Sequence, residues 1–430
     1  MSIEEGKIEA LKNILKELHK GVPIEELMRK FKDVLEGISP LEIPFVEQKL
    51  IKEGISISEI LKLCDLHVEL LRDFLKLNSL KDVPKGHPLY LLSKENEQLS
   101  KLAETLNIYA KALVSSEEAT IHLKAIDDIV SELKRFRLHY RKIQMLIFPY
   151  LERRGIIAVP RVLWGKEDQT MVKLRELSAL IEKGFSDIGE YIKSIAEKAM
   201  ELSRDILDLI FREERILFPS LWVLLSEGEW AAIHEAAKDI GYLVSIDVEW
   251  MPKANPLLPH EVNGAIKLEQ IEKLPKEFKS TALANLTPDD YKVKGDLKFE
   301  NGFLSMKEVE SIFKHLPIEI TYADANDRVT FFSESALKRG FTRAKTIIGR
   351  RLEYCHPPRL ENFVRNVINE LKSGKADFKE YWTKLGDRVI RVIIVAIRDN
   401  GNYLGTLEMV EDLTEVVNNP EEVKSKIIIL

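Results

Sequence analysis

The sequence predicts a multidomain chain: an all-α N-terminal region, comprising a small helical domain and a four-helix bundle, followed by an α+β domain with an antiparallel sheet. Three observations carry this. Up to about residue 245, apolar residues recur at spacings of three and four, with no strand-like alternation. Prolines at 252, 256, 259, 275 and 288 then interrupt any sustained period. From Ser305 onward, β-branched and aromatic runs appear between turn signals.

The first helices show in Ile8, Leu11, Leu15 and Leu18, then in Leu27, Phe31 and Leu35. Ser39-Pro40-Leu41-Glu42 combines an N-cap serine, a proline at the first helical position and a capping-box glutamate. Ser56-Ile57-Ser58-Glu59 repeats the box. Val83-Pro84-Lys85-Gly86 ends this domain. Longer helices follow from His87 to Val244, in two halves separated by Gly155 and Pro160, and long helices with short breaks predict a four-helix bundle. Ser305-Met306-Lys307-Glu308 caps a helix ending at His315. Strands follow at Ile318–Tyr322, Val329–Phe332 and Val389–Val395. The boundaries read 1–82 for the small helical domain, 83–245 for the bundle, 246–304 for a connector, 305–417 for the sheet domain and 418–430 for a tail.

Composition excludes several classes. The 430 residues are 45% hydrophobic and 31% charged, a globular balance. A net charge of −6 argues against a chain that coats nucleic acid. No apolar run approaches the ~18–20 residues of a membrane span. The acidic start Met1-Ser2-Ile3-Glu4-Glu5 lacks a signal-peptide core, so a cytoplasmic location is expected. Two cysteines provide no disulfide framework. There is no phosphate-binding glycine loop, nucleophile elbow, Cys-x-x-Cys pair or recognisable triad, so the balance is against an enzyme.

Two segments of the bundle repeat each other. His139-Tyr140-Arg141-Lys142-Ile143-Gln144-Met145-Leu146-Ile147-Phe148-Pro149 matches Leu209-Ile210-Phe211-Arg212-Glu213-Glu214-Arg215-Ile216-Leu217-Phe218-Pro219. Residues i and i+4 project side by side, so His-x-x-x-Glu would set an imidazole beside a carboxylate in the core. Each copy carries half of that pair: His139 with Ile143, and Leu209 with Glu213. Gln144 and Glu214 lie about 100° further round an ideal helix.

On these residues the block resembles the hemerythrin-like HHE cation-binding family, and is similar to the di-iron bundles linked to iron–sulfur repair. The resemblance implies a histidine opening the first helix, matched by His87 in Gly86-His87-Pro88. It implies His-x-x-x-Glu on the second helix, matched by His139 without its carboxylate, and a histidine on the third, where Glu167 stands. It implies His-x-x-x-Glu on the fourth, matched by Glu213 without its histidine. Ile143 and Leu209 cannot ligate. His87, His139, Glu167 and Glu213 are therefore the candidate metal ligands. Three outcomes stay open: a two-iron centre, iron or another single divalent metal on those four, or a polar pocket whose members satisfy one another.

Residues 10–80 resemble the uncharacterised helical domain that often precedes such bundles, through Leu18-His19-Lys20-Gly21, Pro40-Leu41-Glu42-Ile43 and Leu63-Cys64-Asp65-Leu66-His67. Cys64 and His67, three apart, are half a zinc site at best.

The run His315–Asp324, then Asp327–Ser333, Ile348-Gly349-Arg350-Arg351-Leu352 and Cys355-His356-Pro357-Pro358, and finally Tyr403–Thr414, resemble a PAS domain of a subgroup fused to HHE bundles. The resemblance implies a curved sheet with a pocket that holds a small molecule, haem, flavin or nothing. Cys355 and His356 are the candidate cofactor-binding residues, since both side chains can ligate haem iron; the ligand itself is unknown from sequence. Only Glu415 to Leu430 follows, so a sensor of this design is expected to signal through a protein partner or self-association. The expected function is sensing or regulation that couples the bundle and the PAS pocket to protein contacts. Two alternatives stand: a non-haem iron protein handling oxygen or nitric oxide or aiding iron–sulfur repair, and a structural adaptor with vestigial sites.

Overall fold

The structure, a computed structural model, describes residues 3–36, 42–57, 59–61, 70, 83–115, 119–183, 188–262, 288, 294–333, 344–356 and 358–428. Cys64, His67, Pro357, the Ser39-Pro40-Leu41 cap and most of the connector lie outside the described residues. The chain divides into two compact units, Met1–Lys292 and Val293–Leu430.

In the first unit, helices α1 (Ile3–His19), α2 (Ile24–Lys30), α3 (Lys32–Glu36) and α4 (Glu42–Lys52) come first. Leu15, Leu18, Leu27, Leu35, Val46 and Leu50 are buried from them into one core. The predicted Ser56 box is present: Ser56 N–H donates to Glu59 Oε2 at 2.9 Å, and Glu59 N–H to Ser56 Oγ at 3.2 Å.

Helix α5 (Pro88–Ser115) opens the bundle. Gly86 sets its entry. It has φ +80°, and a Cβ there would meet Val248 O at 2.0 Å, so only glycine allows this approach. The buried stripe of α5 runs Leu92, Leu99, Ala103, Leu106, Ala110, and Glu95 sits inside it. The second helix is α6 (Ala119–Arg135), α7 (Arg137–Lys142), a π turn (Ile143–Ile147) and α8 (Phe148–Arg153). The third is α9 (Ala158–Lys183). The fourth is α10 (Ile188–Arg212), a second π turn (Glu213–Leu217) and α11 (Phe218–Leu224). Consecutive helices pack together, and α5 closes the ring against α10.

Both π turns lie in the sequence repeat and share a cause. Pro149 and Pro219 lack the N–H that an α-helix needs, and their rings crowd the preceding turn. The helix widens just before each. Phe148 N–H bonds Ile143 O, and Phe218 N–H bonds Glu213 O, five residues back rather than four.

After α12 (Glu227–Ile240) the chain continues along the bundle to Val262, further than the expected boundary at 245. Tyr150 Oη donates to Leu257 O at 2.9 Å, Arg153 Nε to Val262 O at 2.8 Å, and Val262 is buried. The segment is irregular and anchored at separate points, so it carries no hydrophobic period to read.

The second unit starts with a short hairpin inside the expected connector, β1 (Leu297–Phe299) and β2 (Gly302–Leu304). Helix α13 (Met306–His315) follows with the predicted Ser305–Glu308 capping box. Strands β3 (Glu319–Asp324), β4 (Val329–Phe332), β5 (Phe378–Leu385), β6 (Arg388–Asp399) and β7 (Asn402–Asp412) form an antiparallel sheet ordered β4-β3-β7-β6-β5. Helix α14 (Pro358–Lys372) covers one face. Its small core is Ala323, Val329, Leu352 and Ile368.

Candidate functional site

The bundle core holds a polar cluster. His139, within α7, is fully buried. Its Nδ1 lies 2.7 Å from Glu95 Oε2, and its Nε2 lies 2.9 Å from Glu213 Oε2. Lys142, one turn on, donates to Glu95 Oε1 at 2.9 Å and to Gly241 O at 2.8 Å. Leu243 N–H also donates to Glu95 Oε1 at 2.8 Å. Asn96 Nδ2 donates to Glu213 Oε2 at 2.9 Å and Glu214 Oε1 at 3.2 Å. Gln144 Nε2 donates to Glu167 Oε2 at 2.6 Å.

Electrostatics follow from this packing. Burial alone would lower the His139 pKa, but the carboxylates of Glu213 and Glu95 override it and hold the imidazolium up to about 10. Burial likewise opposes ionisation of Glu95, yet His139 and Lys142 hold its pKa below the usual range. Burial pushes Glu167 up to about 8, with Glu213 adding to the shift. One imidazolium and one ammonium thus face two carboxylates, and Glu167 keeps its proton at neutral pH.

The four sequence-predicted ligands are divided. His139, Glu167 and Glu213 belong to the cluster. His87 does not: it lies eight residues before Glu95, about 12 Å along the helix axis. Its ring sits among Trp222, Trp230 and Trp250, at centroid distances of 5.4, 4.7 and 4.5 Å. Leu89 N–H donates to its Nδ1 at 3.1 Å, so His87 caps the start of α5. Burial, with His234 nearby, pushes its pKa down to about 3. The first helix reaches the cluster through Glu95 and Asn96 instead. Gln144 and Glu214 also reach it, against expectation, because both lie in the π turns, whose extra residue changes the helical rotation.

These residues do not fit a two-metal centre. Both ring nitrogens of His139 are engaged by carboxylates, so its imidazolium offers no lone pair. Ile143 and Leu209, at two implied ligand positions, are buried and apolar. The Lys142 ammonium already supplies positive charge to Glu95. Among the described residues, no group of three or more His, Cys, Asp or Glu side chains is placed to hold a metal ion.

The sheet domain contains a second candidate site, a cavity of about 620 Å³ between α14 and the inner face of the sheet. The sheet contributes Thr321, Tyr381, Thr383, Val392, Ile394, Thr406 and Glu408, all on one face by strand alternation and register. The helix contributes Leu360, Phe363, Val364, Val367 and Ile368. Cys355 and His356 both line it. Cys355 ends a 3₁₀ turn, Leu352–Cys355, with its Sγ 3.6 Å from Arg351 O. His356 Nδ1 donates to Leu352 O at 3.0 Å, which leaves Nε2 as the open nitrogen.

Comparison with known families follows the same divisions. Residues 11–77 match a family of unknown function, DUF438; residues 87–221 match the hemerythrin HHE cation binding domain; residues 309–414 match a PAS domain. The chain therefore joins, in this order, a DUF438 domain, a hemerythrin HHE bundle and a PAS domain. No curated protein matches it. A crystal structure titled as a C-terminal domain from Streptococcus mutans is 31% identical, over 28% of this chain and 95% of its own, with a TM-score of 0.27. No single described helix is long and apolar enough to cross a membrane. The HHE family is a cation-binding one, and together with a PAS domain it supports a sensory or regulatory role in general.

Proposed function

We propose that the chain is a sensory or regulatory protein whose input is a small molecule in the PAS cavity and whose output is a contact with another protein or a second copy of itself. One observation supports this most: the cavity is of ligand size, with an apolar helix wall facing a sheet wall that mixes apolar side chains with polar groups, as small-molecule sites do. The bundle core, by contrast, is filled by its own ion pairs. The test is mass spectrometry of the solvent extract from denatured full-length protein, beside Val364→Trp, which fills the cavity. The reading expects a molecule near one per chain, lost in the variant. An empty wild-type extract, together with a thermal midpoint that no small-molecule panel shifts, would count against it.

A second reading is that the bundle holds iron or another single divalent metal. Asn96 Oδ1 and Glu167 Oε1 favour it, being buried oxygens without a hydrogen-bond partner. It requires His139 to give up its proton and release one carboxylate. Elemental analysis after iron supplementation, with His139→Ala alongside, decides it: about one metal per chain, lost in the variant, supports the reading, and none in either excludes it.

A further inference from the structure

The walls and the rim of the PAS cavity differ in chemistry. Apolar side chains from α14, β4, β6 and the turns at Ile347 and Leu352 make up most of the lining. The charged lining groups are Arg350, Glu408 and the titratable His356. Glu408 already has an interaction of its own. Arg350 differs: among the described residues its guanidinium has neither an ion pair nor a hydrogen bond. Several other arginines of this unit are engaged, and Arg350 is the arginine that lines the cavity. Arg351 pairs with Glu353, Arg391 with Glu380 and Glu411, and Arg328 donates to Gly349 O.

The backbone under Arg350 is fixed. Val329 N–H donates to Arg350 O at 3.0 Å, and Gly349 N–H to Val329 O at 2.7 Å. Gly349 takes φ +82°, the left-handed turn that lets this loop lie along β4. The loop thus sets one solvent-exposed cation, without a partner among the described residues, at the rim of the cavity.

We propose that the cavity binds an apolar acid, its hydrocarbon or aromatic body between Phe363, Val364, Val392 and Ile394 and its carboxylate at the rim on Arg350. A guanidinium recognises a carboxylate through two parallel N–H donors. At the rim it does so without being buried itself, so the ligand alone brings the charge that completes the pair. A neutral apolar ligand would leave Arg350 idle. A small inorganic anion would leave the apolar walls unused. This inference rests on the reading of the cavity as the input site and names its ligand class.

The test is calorimetric titration of the full chain with two pairs of probes: 4-phenylbutyrate against 4-phenyl-1-butanol, and octanoate against 1-octanol, with inorganic phosphate alone as a third arm. Proteins are wild type, Arg350→Gln, and Ile394→Trp, with Val392→Phe as a milder filling variant should the tryptophan disturb folding. The expected result is that the acids bind wild type more tightly than the alcohols. Arg350→Gln weakens the acids about tenfold, the effect of one charge-assisted contact of about 1.4 kcal/mol. The alcohols are unaffected by that change, and cavity filling removes all binding. If acid and alcohol bind alike, or Arg350→Gln leaves the acids unchanged, the ligand class is wrong while the cavity stays an input site. If phosphate matches the acids and shows the same loss, the rim is a plain anion site and the proposal falls. If no probe binds wild type, the proposal and the reading of the cavity fall together.

Discussion

His139 and Glu167 are the residues of the polar cluster whose protonation the fold changes most clearly. His139 is held up to about 10 from a free value of 6.5. The stability it contributes is complete below about pH 6.5 and is lost as pH rises through 10. Glu167 is raised from 4.5 to about 8, so the folded state binds its proton more tightly than the unfolded state, and stability falls as pH rises from 4.5 to 8. The two effects share a sign. Urea unfolding followed by the fluorescence of Trp222, Trp230 and Trp250 should show a steady decline from about pH 6.5 toward pH 10; below pH 6.5 His87, pushed down to about 3, works the other way. Glu167→Gln removes one contribution. It should flatten the slope between pH 5 and 8 and leave the variant more stable than wild type at pH 8, by on the order of 3 kcal/mol. An unchanged slope would mean that Glu167 is already ionised in the fold. Half of this cluster was legible in the sequence. His139 and Glu213 stand out because the repeat sets them where a His-x-x-x-Glu pair belongs. Glu95 left a weaker signal, an acid at a core position between Leu92 and Leu99. Lys142 left none, because lysine near a helix surface is ordinary until its partner is known.

The elements show why side chains expected to miss the core reach it. A period of 3.6 residues identifies a helix but not one widened turn within it. The Phe-Pro repeat marked where that turn falls; its consequence for Gln144 and Glu214 needed the backbone. The start of α9 is held by a different device. Its first amides have no intrahelical partner, and Ile157, at the N-cap position, is not a capping residue. Gln48, on α4, supplies the acceptor: its Oε1 takes Ile157 N–H at 2.9 Å and Ala158 N–H at 3.0 Å. A cap lent by a distant element is invisible to local sequence rules. Gln48→Ala strands both donors and should destabilise the first unit by about 1–2 kcal/mol in urea unfolding. Gln48→Glu keeps an acceptor and places negative charge at a helix N-terminus, so it should recover most of the loss. Equal losses in the two variants would show that packing, not the cap, sets the contribution of Gln48.

Across the first unit, the N-terminal helices meet the bundle at the turns that carry the polar cluster. Leu61 lies against Gly165, two residues before Glu167; a Cβ on Gly165 would come within 2.8 Å of Leu61 Cδ1. Glu47, buried, faces Arg212, which directly precedes Glu213; burial pushes Glu47 up to about 7 despite that arginine. Two of the core acids therefore sit within two residues of positions pressed by the N-terminal domain. The sequence places a break at Val83-Pro84-Lys85-Gly86, but the contact across it was not legible, since a glycine inside a helical pattern and a glutamate on an apolar face mean little until the facing surface is known. Gly165→Ala should disturb this contact alone. Alanine favours the helix by about 1 kcal/mol, yet the Leu61 clash costs roughly 1–3 kcal/mol, so the net effect on an isolated bundle is favourable and on the docked unit unfavourable. Hydrogen exchange separates the two. Amides of α4 and of residues 59–61 should lose protection in Gly165→Ala while α5 and α10 keep theirs. If α5 and α10 loosen equally, the N-terminal helices and the bundle form one cooperative unit, and the docked surface holds the Glu167 and Glu213 turns in place as well as covering them.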